Sequence, residues 1–203
     1  MIIVSGAGSG LAKVVIPELS RKHEIIAISR SQKYEGKNII SINLKDYSEI
    51  RDVIGEIDAS EISWINFAAH SNNSLLVNLP EEKFLQDFDV NFRLNFEATQ
   101  ILLPKMIASK FGRFIFISSS RALKGDIGTF SYSCGKRASG VLQEQIVKEY
   151  SRFGITANTL SLGFYDTNLW NNLKESVKKR LLQNTPTGKL SDSTCIAPTI
   201  ELL

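Results

Sequence analysis

Short apolar runs alternate with stretches of helical period along the whole chain. Ile2–Val4, Ile25–Ser29, Asn38–Ile42, Ser63–Phe67, Arg113–Ser118 and Thr156–Ser161 carry apolar, often β-branched residues at consecutive positions. That is the pattern of strands covered on both faces. Between them, Gly10–Lys22, Ser48–Asp58, Glu81–Lys110 and Phe130–Phe153 repeat apolar residues at helical spacing. A βαβα alternation predicts an α/β fold, a doubly wound parallel sheet with helices on both faces. The second and third runs lie too close for a full crossover helix, which needs at least ~10–12 residues. The connection Arg30–Lys37 is therefore predicted to lack one. After the sixth run come a polar stretch, Phe164–Leu190, and a helical segment ending at Leu203.

Composition narrows the class. At 203 residues the chain is read as one domain, 1–203, able to bury a core without disulfide or metal. Hydrophobic residues are 43% and charged residues 22%, which excludes a disordered chain. Lys and Arg number 24 against 21 Asp and Glu, a net charge of +3 that argues for neither nucleic acid nor membrane as partner. The two cysteines, Cys134 and Cys195, follow no framework spacing, so a reducing, cytoplasmic setting is expected. No histidine–cysteine cluster suggests a metal site.

The first strand runs into Ser5-Gly6-Ala7-Gly8-Ser9-Gly10-Leu11-Ala12 and then a helix. Glycines in such a turn let a pyrophosphate approach the backbone, and the helix N-terminus offers free N–H groups to it. Roughly 20 residues on, where a dinucleotide fold meets the adenosine ribose, stand Ser29, Arg30 and Ser31 rather than an acidic residue. A guanidinium there suits a 2′-phosphate, so NADP(H) is expected over NAD. A solvated loop arginine is the alternative.

Tyr132 and Lys136 lie one helical turn apart, and Ser119 precedes them just after the fifth strand. Hydride transfer to a carbonyl needs a proton for the developing alkoxide, and a free tyrosine, with a pKa near 10, is a poor exchanger at neutrality. A lysine charge ~4 Å away at an effective dielectric near 20 is worth about 4 kcal/mol, enough to bring the phenol toward working pH. Ser119 would donate to the substrate oxygen.

The glycine turn with Ser119…Tyr132-x-x-x-Lys136 resembles the single-domain short-chain dehydrogenase/reductase family, with Ser5 standing for Thr and Ala12 for the last Gly. The resemblance implies a Rossmann-type sheet of order 3-2-1-4-5-6, here with the family's seventh strand missing. It implies that Lys136 also holds the nicotinamide ribose, and that Asn91 holds a water in the proton relay. Cofactor contacts are implied for Ser5, Gly6, Gly8, Ser9, Gly10 and Leu11, and for Asn43 and Leu44 at the adenine. Asn66, Ala68 and Ala69 would pass the ribose, and Gly163 and Thr167 would meet the carboxamide. Residues 164–190 would form a substrate lid. The implied function is NADP(H)-dependent interconversion of a carbonyl and a secondary alcohol, with Tyr132 as general acid/base. A non-catalytic NADP-binding regulator or scaffold, and a sugar-modifying epimerase or dehydratase, are the competing readings. The helices Glu81–Lys110 and Phe130–Phe153 carry more apolar positions than one sheet-facing stripe needs, including Ile101, Leu103, Met106, Val141, Ile146 and Tyr150. A homodimer or homotetramer is expected through them.

Overall fold

The structure, a computed structural model, describes residues 1–30, 33–44 and 46–203. Six strands, β1 (Ile2–Ser5), β2 (Ile25–Ser29), β3 (Ile39–Asn43), β4 (Ile62–Asn66), β5 (Gly112–Ser119) and β6 (Ile155–Leu162), form one sheet of order 3-2-1-4-5-6. Every pairing is parallel. Side chains alternate across the pleat. Ile3, Ile26, Ile28, Trp64, Phe114 and Phe116 point to one face. Ile2, Val4, Ala27, Ile65, Ile115 and Ile117 point to the other. Consecutive apolar residues are needed because both faces are covered.

On the first face lie α2 (Ile50–Gly55), α4 (Leu94–Ser109) and α6 (Phe130–Tyr150). On the second lie α1 (Gly10–Leu19) and α9 (Ile196–Leu202), which pack against each other. Among the described residues of the Arg30–Lys37 connection there is no helix, as the short spacing requires. β6 forms one edge of the sheet. Its Thr156 and Ser161 are exposed, and Gln143 of α6 donates to the Ala157 carbonyl at 3.0 Å. No helix among the described residues is long and apolar enough to cross a membrane.

Several boundaries differ from the sequence reading. The segment Ser48–Asp58 holds only a 3₁₀ turn and the six residues of α2. Glu81–Lys110 is not one regular helix: α3 (Glu81–Phe88) passes through a π-helical turn, Asp89–Arg93, into α4. The wider turn rotates the faces, so Phe84 and Phe88 stack in line with Phe92 and Phe96. Asn91 and Asn95 instead turn inward and are buried. Asn95 accepts from the Trp64 indole at 3.2 Å and donates to Ser139 Oγ at 3.0 Å; Ser139 donates in turn to the Asn91 carbonyl at 3.0 Å. This chain of bonds ties β4, the π turn and α6 together and satisfies groups that would each cost about 1–3 kcal/mol if left alone. Leu103, Met106 and Ile146 belong to the sheet-facing core and form no second face; Val141 is 66% exposed.

Candidate active site

The parallel order reverses direction between β1 and β4, and a crevice opens outside the carboxyl ends of the strands there. This is where doubly wound sheets place ligands. The crevice is a cavity of about 370 Å³. The turn after β1 supplies Gly6, Gly8, Ser9, Gly10 and Leu11, and the end of β2 supplies Ser29 and Arg30. Ala68 and Ala69 follow β4, Ser119 ends β5, Gly163 and Thr167 follow β6, and α6 contributes Tyr132 and Lys136.

The glycine turn is held from three sides. Gly6 has φ +68, and a β-carbon on it would lie 2.1 Å from the Ala68 nitrogen, so the backbones of the first and fourth strand ends touch there. Ser9 caps α1, its hydroxyl accepting from the Ala12 N–H at 3.2 Å. Tyr34, from the β2–β3 connection, donates its hydroxyl to the Ala7 carbonyl at 2.5 Å. Burial pushes that phenol up to about 12, so it remains a donor at working pH. Gly10 and Leu11, whose N–H groups precede the first intrahelical bond, border the crevice, a cradle suited to phosphate.

At the other end, Ser119 is both the last residue of β5 and the N-cap of α5 (Ser120–Lys124); its hydroxyl accepts from the Arg121 N–H at 3.3 Å. The Ser119 hydroxyl acts on the Tyr132 phenol, favouring its ionised form. Lys136 is fully enclosed and donates to the Ile117 carbonyl at 2.9 Å and the Ala68 carbonyl at 3.3 Å. Burial pulls its ammonium down to about 8. Tyr132 is not brought down as the lysine argument expects. Burial of the phenol raises its pKa, and the opposing influences are the Ser119 hydrogen bond and the Arg121 charge. The physical reason is desolvation: the ammonium is 6.0 Å from the ring centroid and already bonded to two carbonyls, while the phenolate would be buried.

Some expected contacts do not reach the cavity. Ser5 is completely buried within β1. Asn66 is buried beneath the crevice, its side-chain oxygen accepting from the Ala68 N–H at 2.8 Å, which shapes the loop. Leu44 packs in the core under the sheet, and Asn43, at the end of β3, is exposed outside the crevice. Asn91 donates to the His70 carbonyl and the Asp87 carbonyl, both at 2.7 Å, and α6 crosses it at Gly135. Its amide hydrogens therefore bind chain, and it fixes the loop after β4 from below. Ser31 lies outside the described residues. Of residues 164–190, only the part up to Leu173 borders the crevice; the segment folds as α7 (Asn168–Asn171) and α8 (Glu175–Gln183), with Phe164 tilted on Trp170 at 5.4 Å.

Sequence reasoning missed Arg121 and Tyr34. Arg121 stands two residues after Ser119 and lines the cavity. Only its proximity to Ser119 in the chain could have pointed to it. Tyr34 sits in a loop with no pattern to mark it.

The sheet and its crevice define a Rossmann-type α/β protein of the oxidoreductase class, with a nucleotide-type glycine turn facing a serine–tyrosine–lysine group. The chain belongs to the short chain dehydrogenase family, which matches residues 1–178. It is 28% identical over 196 residues to the 3-oxoacyl-[acyl-carrier-protein] reductase FabG of Rickettsia conorii, covering 92% of this chain and 81% of that one. It is 26% identical to the FabG of Haemophilus influenzae, covering 99% and 88%. The structure of ElxO with NADP bound superposes with a TM-score of 0.87 at 21% identity, covering 100% of this chain and 90% of that one.

Proposed function

We propose that this protein is an NADP(H)-dependent oxidoreductase that interconverts a carbonyl and a secondary alcohol. The observation that carries the reading is convergence: the glycine turn, Arg30, Ser119, Tyr132 and Lys136 come from different elements and border one cavity. The names of the relatives and the NADP in the ElxO structure support the same reading.

The residues fit the cofactor. The N–H groups of Gly10 and Leu11, at the start of α1, would meet the pyrophosphate. Arg30 and Lys136 both border the cavity, where Arg30 would meet the 2′-phosphate and Lys136 the nicotinamide ribose. Bound NADPH would supply the hydride. Tyr132 gives its hydroxyl proton to the substrate oxygen as that hydride reaches the carbonyl carbon, leaving an alcohol and a tyrosinate. Ser119 hydrogen-bonds the same oxygen as charge gathers on it. Lys136, held by two carbonyls, lies 6.0 Å from the Tyr132 ring centroid, and Arg121 adds a second cation near the phenol. Phe164, Leu169 and Trp170 shield this end of the crevice from water. The reading is tested by following NADPH oxidation over a panel of ketones, aldehydes and keto-sugars. Turnover of any of them supports it, and binding without turnover of any would favour a regulator or scaffold.

The outer surfaces of the α3–α4 and α6 helices would pair two copies. Phe96, Val141 and Val147 are exposed there beside the phenylalanine stack. Light scattering at micromolar concentration should give at least twice the mass of one chain; a monomer would refute the pairing.

A further inference from the structure

We propose that Arg121 binds the carboxylate of the substrate, so that this enzyme acts on small oxo acids or the matching hydroxy acids. The inference deepens the oxidoreductase reading and rests on it.

The cavity holds three cationic side chains, Arg30, Arg121 and Lys136, and among the described residues no acidic side chain borders it. Arg30 and Lys136 are accounted for at the cofactor. Arg121 is not: it lies at the Ser119–Tyr132 end, where the reacting carbonyl would sit. Its backbone N–H is bonded to the Ser119 hydroxyl, which roots the Arg121 side chain beside the group that would hold the carbonyl oxygen. The guanidinium rests 5.2 Å above the Phe164 ring. Stacking uses only the face, and with the Nε edge turned to Asp126 the terminal nitrogens remain for a planar anion.

The charges around it do not balance. Arg121 Nε is 3.5 Å from one Asp126 oxygen, and Arg180 of α8 is 3.5 Å from the other. One carboxylate thus serves two guanidiniums at long range, while also accepting from the Ile127 N–H at 2.8 Å. Nε is buried without a hydrogen-bond partner. Two guanidiniums on one carboxylate leave an excess positive charge, largely desolvated at Arg121, that a further anion at its terminal nitrogens would relieve. A substrate carboxylate would supply it. Phe164, Leu169, Trp170 and Leu173 would enclose a short apolar remainder of the same molecule. The cavity of about 370 Å³ must also admit the cofactor, so the acid is small.

The test uses a pairing that cannot turn over, the protein saturated with NADP⁺ and titrated by calorimetry with an oxo acid. The probes are 3-oxobutanoate and 4-oxopentanoate, each against its methyl ester. The wild type should bind at least one acid about tenfold or more tighter than its ester, as expected for a charge-assisted pair. Arg121→Gln should remove that preference while NADP⁺ still binds. Arg121→Lys should keep part of it. Asp126→Asn, which releases the guanidinium, should tighten the acid, a gain that a merely structural role for Arg121 would not produce. Equal affinities for acid and ester, no binding of either acid at millimolar concentration, or a preference that survives Arg121→Gln would overturn the assignment with NADP⁺ binding intact. Failure of the wild type to bind NADP⁺ would instead defeat the oxidoreductase reading, and the assignment with it.

Discussion

Gly6→Ala should damage both the fold and the nucleotide site. The new β-carbon would sit 2.1 Å from the Ala68 nitrogen, 2.5 Å from its α-carbon and 2.6 Å from the Phe67 carbonyl carbon. All three lie far inside the ~3.5 Å of ordinary contact, and all three are backbone atoms that cannot swing away. The positive φ adds about 1–2 kcal/mol for an L-residue. Forcing the two strand ends apart adds about 1–3 kcal/mol more. The sum, about 2–5 kcal/mol, should lower Tm by roughly 5–15 °C in a chain of this size. Gly140→Ala is the contrast: it lies within α6 with nothing inside 4 Å, and should gain about 0.5–1 kcal/mol. Scanning calorimetry of both variants, with NADPH fluorescence titration alongside, reads the two effects. A Gly6→Ala protein that melts with the wild type and binds NADPH equally would refute the close backbone approach.

Lys136 should give stability a distinctive pH dependence without cofactor. Its folded pKa, about 8, lies below the ordinary lysine value. Between pH 8 and 10 the unfolded chain binds more protons than the folded one, so stability should rise with pH in that window. Chemical denaturation at pH 7.5 and 9.5 should show the rise in the wild type and lose it in Lys136→Met; a wild type as flat as the variant would contradict the buried ammonium. Arg30→Ala should weaken NADPH relative to NADH by about tenfold or more, measured by fluorescence titration. Equal affinity of the wild type for both cofactors would defeat the 2′-phosphate assignment.

The sheet was legible because strands covered on both faces must be apolar at consecutive positions, and β1, β2 and β5 are. The missing crossover helix followed from chain length alone. Ser119, Tyr132 and Lys136 were singled out by the family resemblance and by a helix placing i and i+4 on one side, and all three border the crevice. The π turn was hidden: one extra residue in Asp89–Arg93 leaves no mark in the hydrophobic pattern, yet it sends Asn91 inward and lines up the phenylalanines outside. Leu44 and Asn66 have buried side chains outside the crevice lining, and their neighbourhood in sequence does not say whether a side chain points above the sheet end or beneath it. Arg121 and Tyr34 act through packing across elements, which no local spacing encodes.

The central claim is that Tyr132 donates the proton in a reaction whose cofactor binds independently of its hydroxyl. Wild type and Tyr132→Phe should be compared in parallel, for NADPH affinity by fluorescence and for NADPH oxidation with the best substrate of the panel. The expected result is unchanged NADPH affinity and turnover lower by at least ~10²-fold. Turnover close to wild type in Tyr132→Phe, with NADPH still bound, would contradict it.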